Sequence, residues 1–296
     1  MSGRVRERIE RVRANGIDLA LHRFEPLEPS GRAEPSRTLL LLHGFLDAAS
    51  TWDLVAAPLA LAGYEVIAPD LRGFGASGRV PEGGYYHFPD YIADLEDLVR
   101  VLAPKWLGVI GHSMGGGVAT LFAGARPERV AKLVVMEGLG PMSEPPELAV
   151  DRMRKWLADR EKISRAPRVL GSLDEATTRL AASHPRIDRE LLRTRAERLV
   201  RTNEAGELGW AWDPLHRTTA PTPFNAEVFA SFVRAISCPT LFVGGGPLGW
   251  HPPDEASRLA GFARLERVDF EDAGHMMHWT APEAVANAIL AFLGRD

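Results

Sequence analysis

The apolar positions of this chain fall into short, mostly unbroken runs separated by longer stretches of helical spacing. Runs at 38–42, 64–69, 107–111, 130–136 and 239–243 are mostly apolar, as expected for strands buried on both faces of a sheet. Between them, apolar residues recur one helical turn apart, as at Tyr91, Ile92, Leu95, Leu98 and Val99. The pattern predicts helices over 48–62, with Ser50 as N-cap, over 87–102, and from Met114 to about 125. The opening reads differently. Segments 8–13 and 17–24 flank Asn15-Gly16, a strong hairpin signal, so an antiparallel hairpin is expected to start the sheet. A Pro/Gly/Ser-rich loop follows over 25–36.

After Met136 the alternation stops. Helix follows helix, over 144–162, 173–183, 188–203 and 225–236, with Trp210 and Trp212 in the segment before the last. The alternation then resumes with a strand at 239–243, a glycine-rich flexible loop at 244–250, a helix at 253–261, a strand at 267–270 and a closing helix at 281–293. Alternating strands and helices imply an α/β fold with a mostly parallel central sheet and helices on both faces. The expected organisation is a core from 1–138 and 237–296, interrupted by a helical cap over 139–236.

One stretch carries the chemistry. Gly111-His112-Ser113-Met114-Gly115 joins an apolar run to a small-residue helix, so G-x-S-x-G stands in the strand–turn–helix context that gives it meaning. The turn strains the serine backbone, and only residues lacking a β-carbon fit two positions to either side. Ser113 Oγ is then exposed at the carboxyl end of its strand, where open α/β sheets bind ligands. The N–H of Met114 points where an oxyanion forms, and the N–H of Phe45, after His43-Gly44, offers a second donor. His43 matches no base position and reads as a structural histidine propping its loop. Asp70 and Arg72 read as a structural pair or as backbone caps.

With these residues in place the chain resembles the α/β-hydrolase superfamily over essentially its whole length. The resemblance rests on His43-Gly44-Phe45, Asp70-Leu71-Arg72-Gly73-Phe74-Gly75, Gly111–Gly116, Cys238-Pro239-Thr240-Leu241 and Ala273-Gly274-His275. Glu137–Pro141 and Trp212-Asp213-Pro214 make it most similar to the serine hydrolase-like branch. The resemblance implies a nucleophile at Ser113, a base at His275, oxyanion donors at Phe45 and Met114, and an inserted helical cap. It fails at one place. Most members carry an acid shortly after the strand that ends near Val243, but this chain has only glycine, proline and leucine over 244–249. Two acids compete for the vacant role. Glu137, at the end of the strand after Ser113, is the first choice, and Asp254 is the alternative.

A serine hydroxyl needs a base within reach, and histidine can take and return a proton near neutral pH. A carboxylate behind the histidine fixes its tautomer. The expected reaction is hydrolysis of a small to medium ester or related acyl compound through an acyl-enzyme on Ser113. Perhydrolase, cofactor-free haloperoxidase-like and carbon–carbon bond hydrolase activities share the same triad. A ligand receptor or inert scaffold on the same fold is the non-enzymatic alternative. No metal or organic cofactor is required, and His275 and His278 lack ligand spacing and a nearby partner. Met142, Trp210, Trp212, Phe224 and Met276 are candidates to line the substrate pocket, with Trp156 and Met277 as further apolar surface.

Composition adds exclusions. The 296 residues carry a net charge of −4, so nucleic acid is not an expected partner. Cys238 is the only cysteine, so no intrachain disulfide forms. The first residues are charged and lack an apolar h-region, and no apolar run approaches a membrane span. The expectation is a cytoplasmic monomer or homodimer that acts on a small molecule.

Overall fold

The computed structural model describes residues 4–28, 37–164, 166 and 168–295. The first three residues and most of the 25–36 loop therefore lie outside the described residues. Ten-residue strands β1 (Val5–Ala14) and β2 (Ile17–Pro26) pair antiparallel across Asn15-Gly16. Strands β3 (Thr38–Leu42), β4 (Glu65–Pro69), β5 (Leu107–His112) and β6 (Lys132–Met136) follow, with helices α1 (Asp53–Leu61), α2 (Phe88–Leu102) and α3 (Met114–Ala125) between them.

After β6 come α4 (Ala149–Lys162), β7 (Val169–Leu170), α5 (Leu173–Ser183), α6 (Arg189–Leu199), β8 (Val200–Thr202), β9 (Leu208–Trp210) and α7 (Ala226–Ala235). Strand β10 (Thr240–Gly244), α8 (Glu255–Leu259), β11 (Leu265–Asp269), α9 (Met277–Thr280) and α10 (Pro282–Leu293) complete the chain.

The main sheet has the order β1-β2-β4-β3-β5-β6-β10-β11. Every pairing from β4 to β11 is parallel, and the β1–β2 hairpin joins antiparallel at the β4 edge. Side chains alternate across the central strands, as strand geometry requires. Leu40, Leu42, Val109, Val135 and Phe242 face the layer that includes Leu95, Leu98, Val118 and Phe122 of α2 and α3. Leu39, Leu41, Ile110, Val134 and Val243 face Val55, Leu59, Ile289 and Phe292 of α1 and α10. The register pairs Leu42 with Gly111 and Met136 with both His112 and Val243, so the loops after β3, β5, β6 and β10 emerge along one edge.

The α1 region departs from expectation. A 3-10 turn at Ala49–Trp52 precedes the helix, and Ser50 does not cap it. The caps are carboxylates: Asp47 accepts from Ala48 N–H (2.9 Å) and Thr51 Oγ (2.7 Å), and Asp70 accepts from Ala49 N–H (2.8 Å). Asp70 does not pair with Arg72, which forms a bidentate pair with Asp94.

The segment expected to be helical to 203 also differs. Helix α6 ends at Leu199, and β8 turns back on β9 to form a small sheet of order β7-β9-β8. The turn residues Asn203 to Gly206, with Gly206 at φ 80°, make that hairpin. This block is fixed to the core by ion pairs: the buried Arg195 meets Asp53 at 2.6 Å and the partly exposed Arg198 meets it at 2.9 Å. Helix α4 has no buried side chain. The glycine-rich 244–250 loop holds a 3-10 turn at Gly246–Leu248. Among the described residues no helix is long and apolar enough to cross a membrane.

Candidate active site

Ser113 stands between β5 and α3 with φ 51° and ψ −117°, a conformation disfavoured for a residue with a β-carbon. A β-carbon on Gly111 would overlap the backbone of Gly115, and one on Gly115 would overlap the carbonyls of Leu42 and His43. Ser113 N–H donates to Met136 O at 2.9 Å, which ties the turn to the neighbouring strand.

His275 comes from the loop between β11 and α9. Its Nε2 lies 3.0 Å from Ser113 Oγ, and its Nδ1 lies 2.6 Å from Glu137 Oε2. This arrangement suits an Nδ1–H that donates to Glu137 and an Nε2 that accepts from the serine hydroxyl. His112 Nε2–H donates to the backbone carbonyl of His275 at 2.8 Å, so the residue before the serine also holds the histidine loop.

Glu137 follows β6 directly and has φ 47°. Its side chain is fully buried. Oε1 accepts from Gly245 N–H at 2.6 Å, and Oε2 accepts from Trp250 N–H at 2.7 Å as well as from His275. The glycine loop that lacks an acid of its own thus wraps the carboxylate supplied by the adjacent strand. Asp254 is not brought to His275: its carboxylate pairs with Arg258 at 2.8–2.9 Å.

Phe45 and Met114 line the same cavity as Ser113 and His275. Among the described residues neither backbone N–H has a hydrogen-bond partner within the protein. His43 is fully buried; its Nδ1–H donates to Gly44 O at 2.8 Å, and its Nε2 accepts from Leu71 N–H at 3.0 Å. Burial pushes its pKa down, so a neutral ring ties the Phe45 loop to the loop after β4.

Near His275, three buried groups converge. Asp47, His112 and His278 place donor atoms within 4.8 Å of one another. His278 therefore has a partner, contrary to expectation: its Nε2–H donates to Asp47 Oδ2 at 3.1 Å, and its ring lies 4.4 Å from that of His112. Among the described residues this is the group whose donors converge closely enough to hold a metal ion. Asp47 already accepts from His278, Thr51 and Ala48, which makes the cluster a hydrogen-bonded support for the His275 loop.

The cavity above Ser113 has a volume of about 1030 Å³. Of the expected pocket residues, Met142 and Phe224 line it. Trp210, Trp212 and Met276 do not. Trp212 is buried and stacked on Trp210 at 6.2 Å, and Met276 packs with Leu170 and Leu192. Packing the inserted block onto the core uses up their surface. Met277 is likewise buried, in the core, and Trp156 packs edge-on against Tyr85. The wall is built largely by residues that periodicity did not mark, among them Tyr85, Tyr86, Phe88, Leu121 and Trp250. The run Tyr85-Tyr86-His87-Phe88 was the available signal: four rings in succession at the entry to α2, of which Tyr86 is buried in the core and the other three stay at least partly exposed.

A strained serine turn at the carboxyl edge of a parallel sheet, hydrogen-bonded to a histidine and through it to an acid from another loop, is the arrangement of an α/β-hydrolase-type protein. The family model for the alpha/beta hydrolase fold matches residues 37–282, and the chain belongs to that family. A serine hydrolase-like protein of Dictyostelium discoideum is 28% identical over 243 residues, covering 78% of this chain and 67% of that protein. A 2-hydroxy-6-oxononadienedioate/2-hydroxy-6-oxononatrienedioate hydrolase of Pseudomonas putida is 28% identical over 290 residues, covering 97% and 96%. Among solved structures, the thioesterase domain from the curacin biosynthetic pathway superposes with a TM-score of 0.82 at 26% identity, covering 97% of this chain and 99% of that one.

Proposed function

We propose that this α/β hydrolase cleaves a carboxylic ester or closely related acyl bond through an acyl-enzyme on Ser113. The observation that carries the reading is the continuous hydrogen-bonded chain Ser113–His275–Glu137, opening into the cavity. His275 Nε2 takes the serine proton as Oγ attacks the carbonyl carbon, and Glu137 holds the Nδ1–H tautomer and offsets the charge of the imidazolium. The Phe45 and Met114 N–H groups receive the oxyanion; losing one such donor costs about 3–4 kcal/mol of transition-state stabilisation. His275 then protonates the leaving alkoxide. Water activated by the same ring hydrolyses the acyl-enzyme and restores the serine.

Hydrolysis of a dioic acid, the kind of substrate in the name of the Pseudomonas putida relative, requires a site for a second carboxylate. The arginine lining this cavity, Arg152, is 2.6 Å from Glu144 and paired with it, which favours the ester reading. The test is p-nitrophenyl butyrate turnover together with labelling by a fluorophosphonate. Turnover with label on Ser113, both abolished in a folded Ser113→Ala protein, is the expected result. Near-wild-type activity in Ser113→Ala would end the mechanism, and label without turnover would favour a ligand receptor.

A further inference from the structure

The walls of the cavity discriminate between classes of ester. Phe45, Phe88, Met142, Val228 and Trp250 are large apolar side chains that remain 38–57% exposed, and all five line this one cavity. Apolar surface kept out of the core and gathered around a reactive serine is surface that a ligand can cover. The tyrosine hydroxyls of the wall are already engaged. Tyr85 Oη is 2.7 Å from Thr218 Oγ, Tyr86 Oη donates to Asp213 at 2.9 Å, and Tyr91 Oη is 3.4 Å from His216 Nδ1. They present ring surface rather than free hydroxyls.

Charge in the cavity is balanced or negative. Besides Glu137 and the histidines, the ionisable side chains lining it are Glu144 and Arg152, which pair with each other. Arg152 is further held by a hydrogen bond from its Nε to Ala220 O at 3.1 Å. His216 is stacked between Phe74 and Tyr86, and burial pushes its pKa down to about 3, so it is neutral. Among the described residues no lysine lines the wall and its one arginine is paired, while the exposed His87 ring lies edge-on to Tyr85 at 5.1 Å. A substrate carboxylate or phosphate placed there would lose its hydration without gaining a counter-charge.

We infer that the substrate is an uncharged ester carrying a long hydrocarbon tail, and that a terminal carboxylate on that tail is rejected. This rests on the serine hydrolase reading above and specifies the substrate class of the same site. The volume of about 1030 Å³ lies just above the usual range for small-molecule sites, roughly 300–1,000 Å³, so the tail can be long.

Two ester series test the inference, one varying the acyl chain on p-nitrophenol and one varying the alkyl chain on acetate. In the series whose varied chain enters the cavity, kcat/KM rises by up to about fourfold per methylene, the equivalent of ~0.8 kcal/mol of apolar transfer. A rise of at least about tenfold over four methylenes, butyrate to octanoate in the acyl series, is expected. The hemisuccinate p-nitrophenyl ester, close in size to the butyrate but ending in a carboxylate, is expected to fall at least about tenfold below it. Val228→Arg, at an exposed position of the wall, should lower the octanoate-to-butyrate ratio and raise the hemisuccinate-to-butyrate ratio. Butyrate turnover with a flat or falling profile in both series, or hemisuccinate turned over as well as butyrate, overturns the inference and leaves the hydrolase intact. No turnover and no label on Ser113 removes the hydrolase reading, and this inference with it.

Discussion

The carboxylate of Glu137 occupies the space that a side chain on Gly249 would need: a β-carbon there would overlap Oε1. The two residues lie on different loops at the carboxyl edge of the sheet. The pairing explains two oddities of the sequence together, an acid at the end of β6 and a 244–249 loop rich in glycine. The loop contributes the Gly245 N–H donor, and the adjoining Trp250 N–H supplies another. The strand contributes the carboxylate.

Gly249→Ala should therefore impair catalysis through Glu137 without touching substrate. A displacement of about 1 Å at a catalytic group can cost on the order of 10²-fold in rate. The expected result is a kcat lower by about that factor, with KM little changed and the circular dichroism spectrum intact. Wild-type kcat would show that the overlap is relieved without moving Glu137.

The histidines make stability depend on pH in two directions. Burial pushes His43, His112 and His278 below their ordinary value, and His216 down to about 3, so the fold holds them neutral. The unfolded chain protonates each near pH ~6.5. Below that pH the unfolded state binds more protons, and stability falls as pH is lowered. His22 runs the other way: burial opposes its charge, but hydrogen bonds and charges from Asp70 and Glu7 outweigh burial and raise its pKa to about 9. Its contribution is fully present below pH ~6.5 and is lost as pH rises through about 9. Urea midpoints at several pH values check both limbs. His216→Phe should flatten the acid limb by on the order of 2 kcal/mol between pH 6.5 and 5, and His22→Gln should flatten the alkaline one. Unchanged limbs would mean that these rings do not titrate as placed.

How much could be read beforehand depended on what each segment is buried against. Strand β3 could be read to the residue because both its faces are covered, which leaves an unbroken apolar run. Ser113 was legible because its turn restricts residue type on both sides. Glu137 stood out as an acid at a strand end facing the same edge. Strands β8 and β9 were not legible: each has three residues, too few for a period to emerge, and only the turn ending in Gly206 marked them. Trp210 and Trp212 misled because an aromatic ring serves packing as readily as binding, and sequence alone does not show which neighbours reach it. Tyr85 and Phe88 were missed for the opposite reason, lying in and beside a loop without periodicity.

The inserted block is expected to be uneven in its dynamics. Helix α7 packs on α3, where the Phe232 carbonyl lies against Gly124, whereas α4 buries no side chain. Elements with little burial open at low free energy, and covers over active sites often gate access. Amide exchange should be faster in α4 than in α7, and a phosphonate bound to Ser113 should slow α4. Equal protection in both helices, with or without inhibitor, would count against a gate.

The sharpest test separates the two acids. Glu137 is buried and joined to His275 Nδ1 at 2.6 Å. Changing a triad acid to its amide can cost ~10⁴ in turnover, because the amide holds the wrong tautomer of the histidine. Glu137→Gln should lose about that much kcat while its serine is still slowly labelled by a reactive phosphonate. Asp254→Asn should show a different signature. Its partner Arg258 is 2% exposed and also donates to the carbonyls of Leu139, Gly140 and Pro141. Weakening this charged hydrogen bond should lower stability by about 1–3 kcal/mol and leave kcat per folded molecule near wild type. Denaturation midpoints and active-site titration measured on the same samples distinguish the two effects. A crippled kcat in Asp254→Asn, or near-normal turnover in Glu137→Gln, would reverse the assignment of the acid.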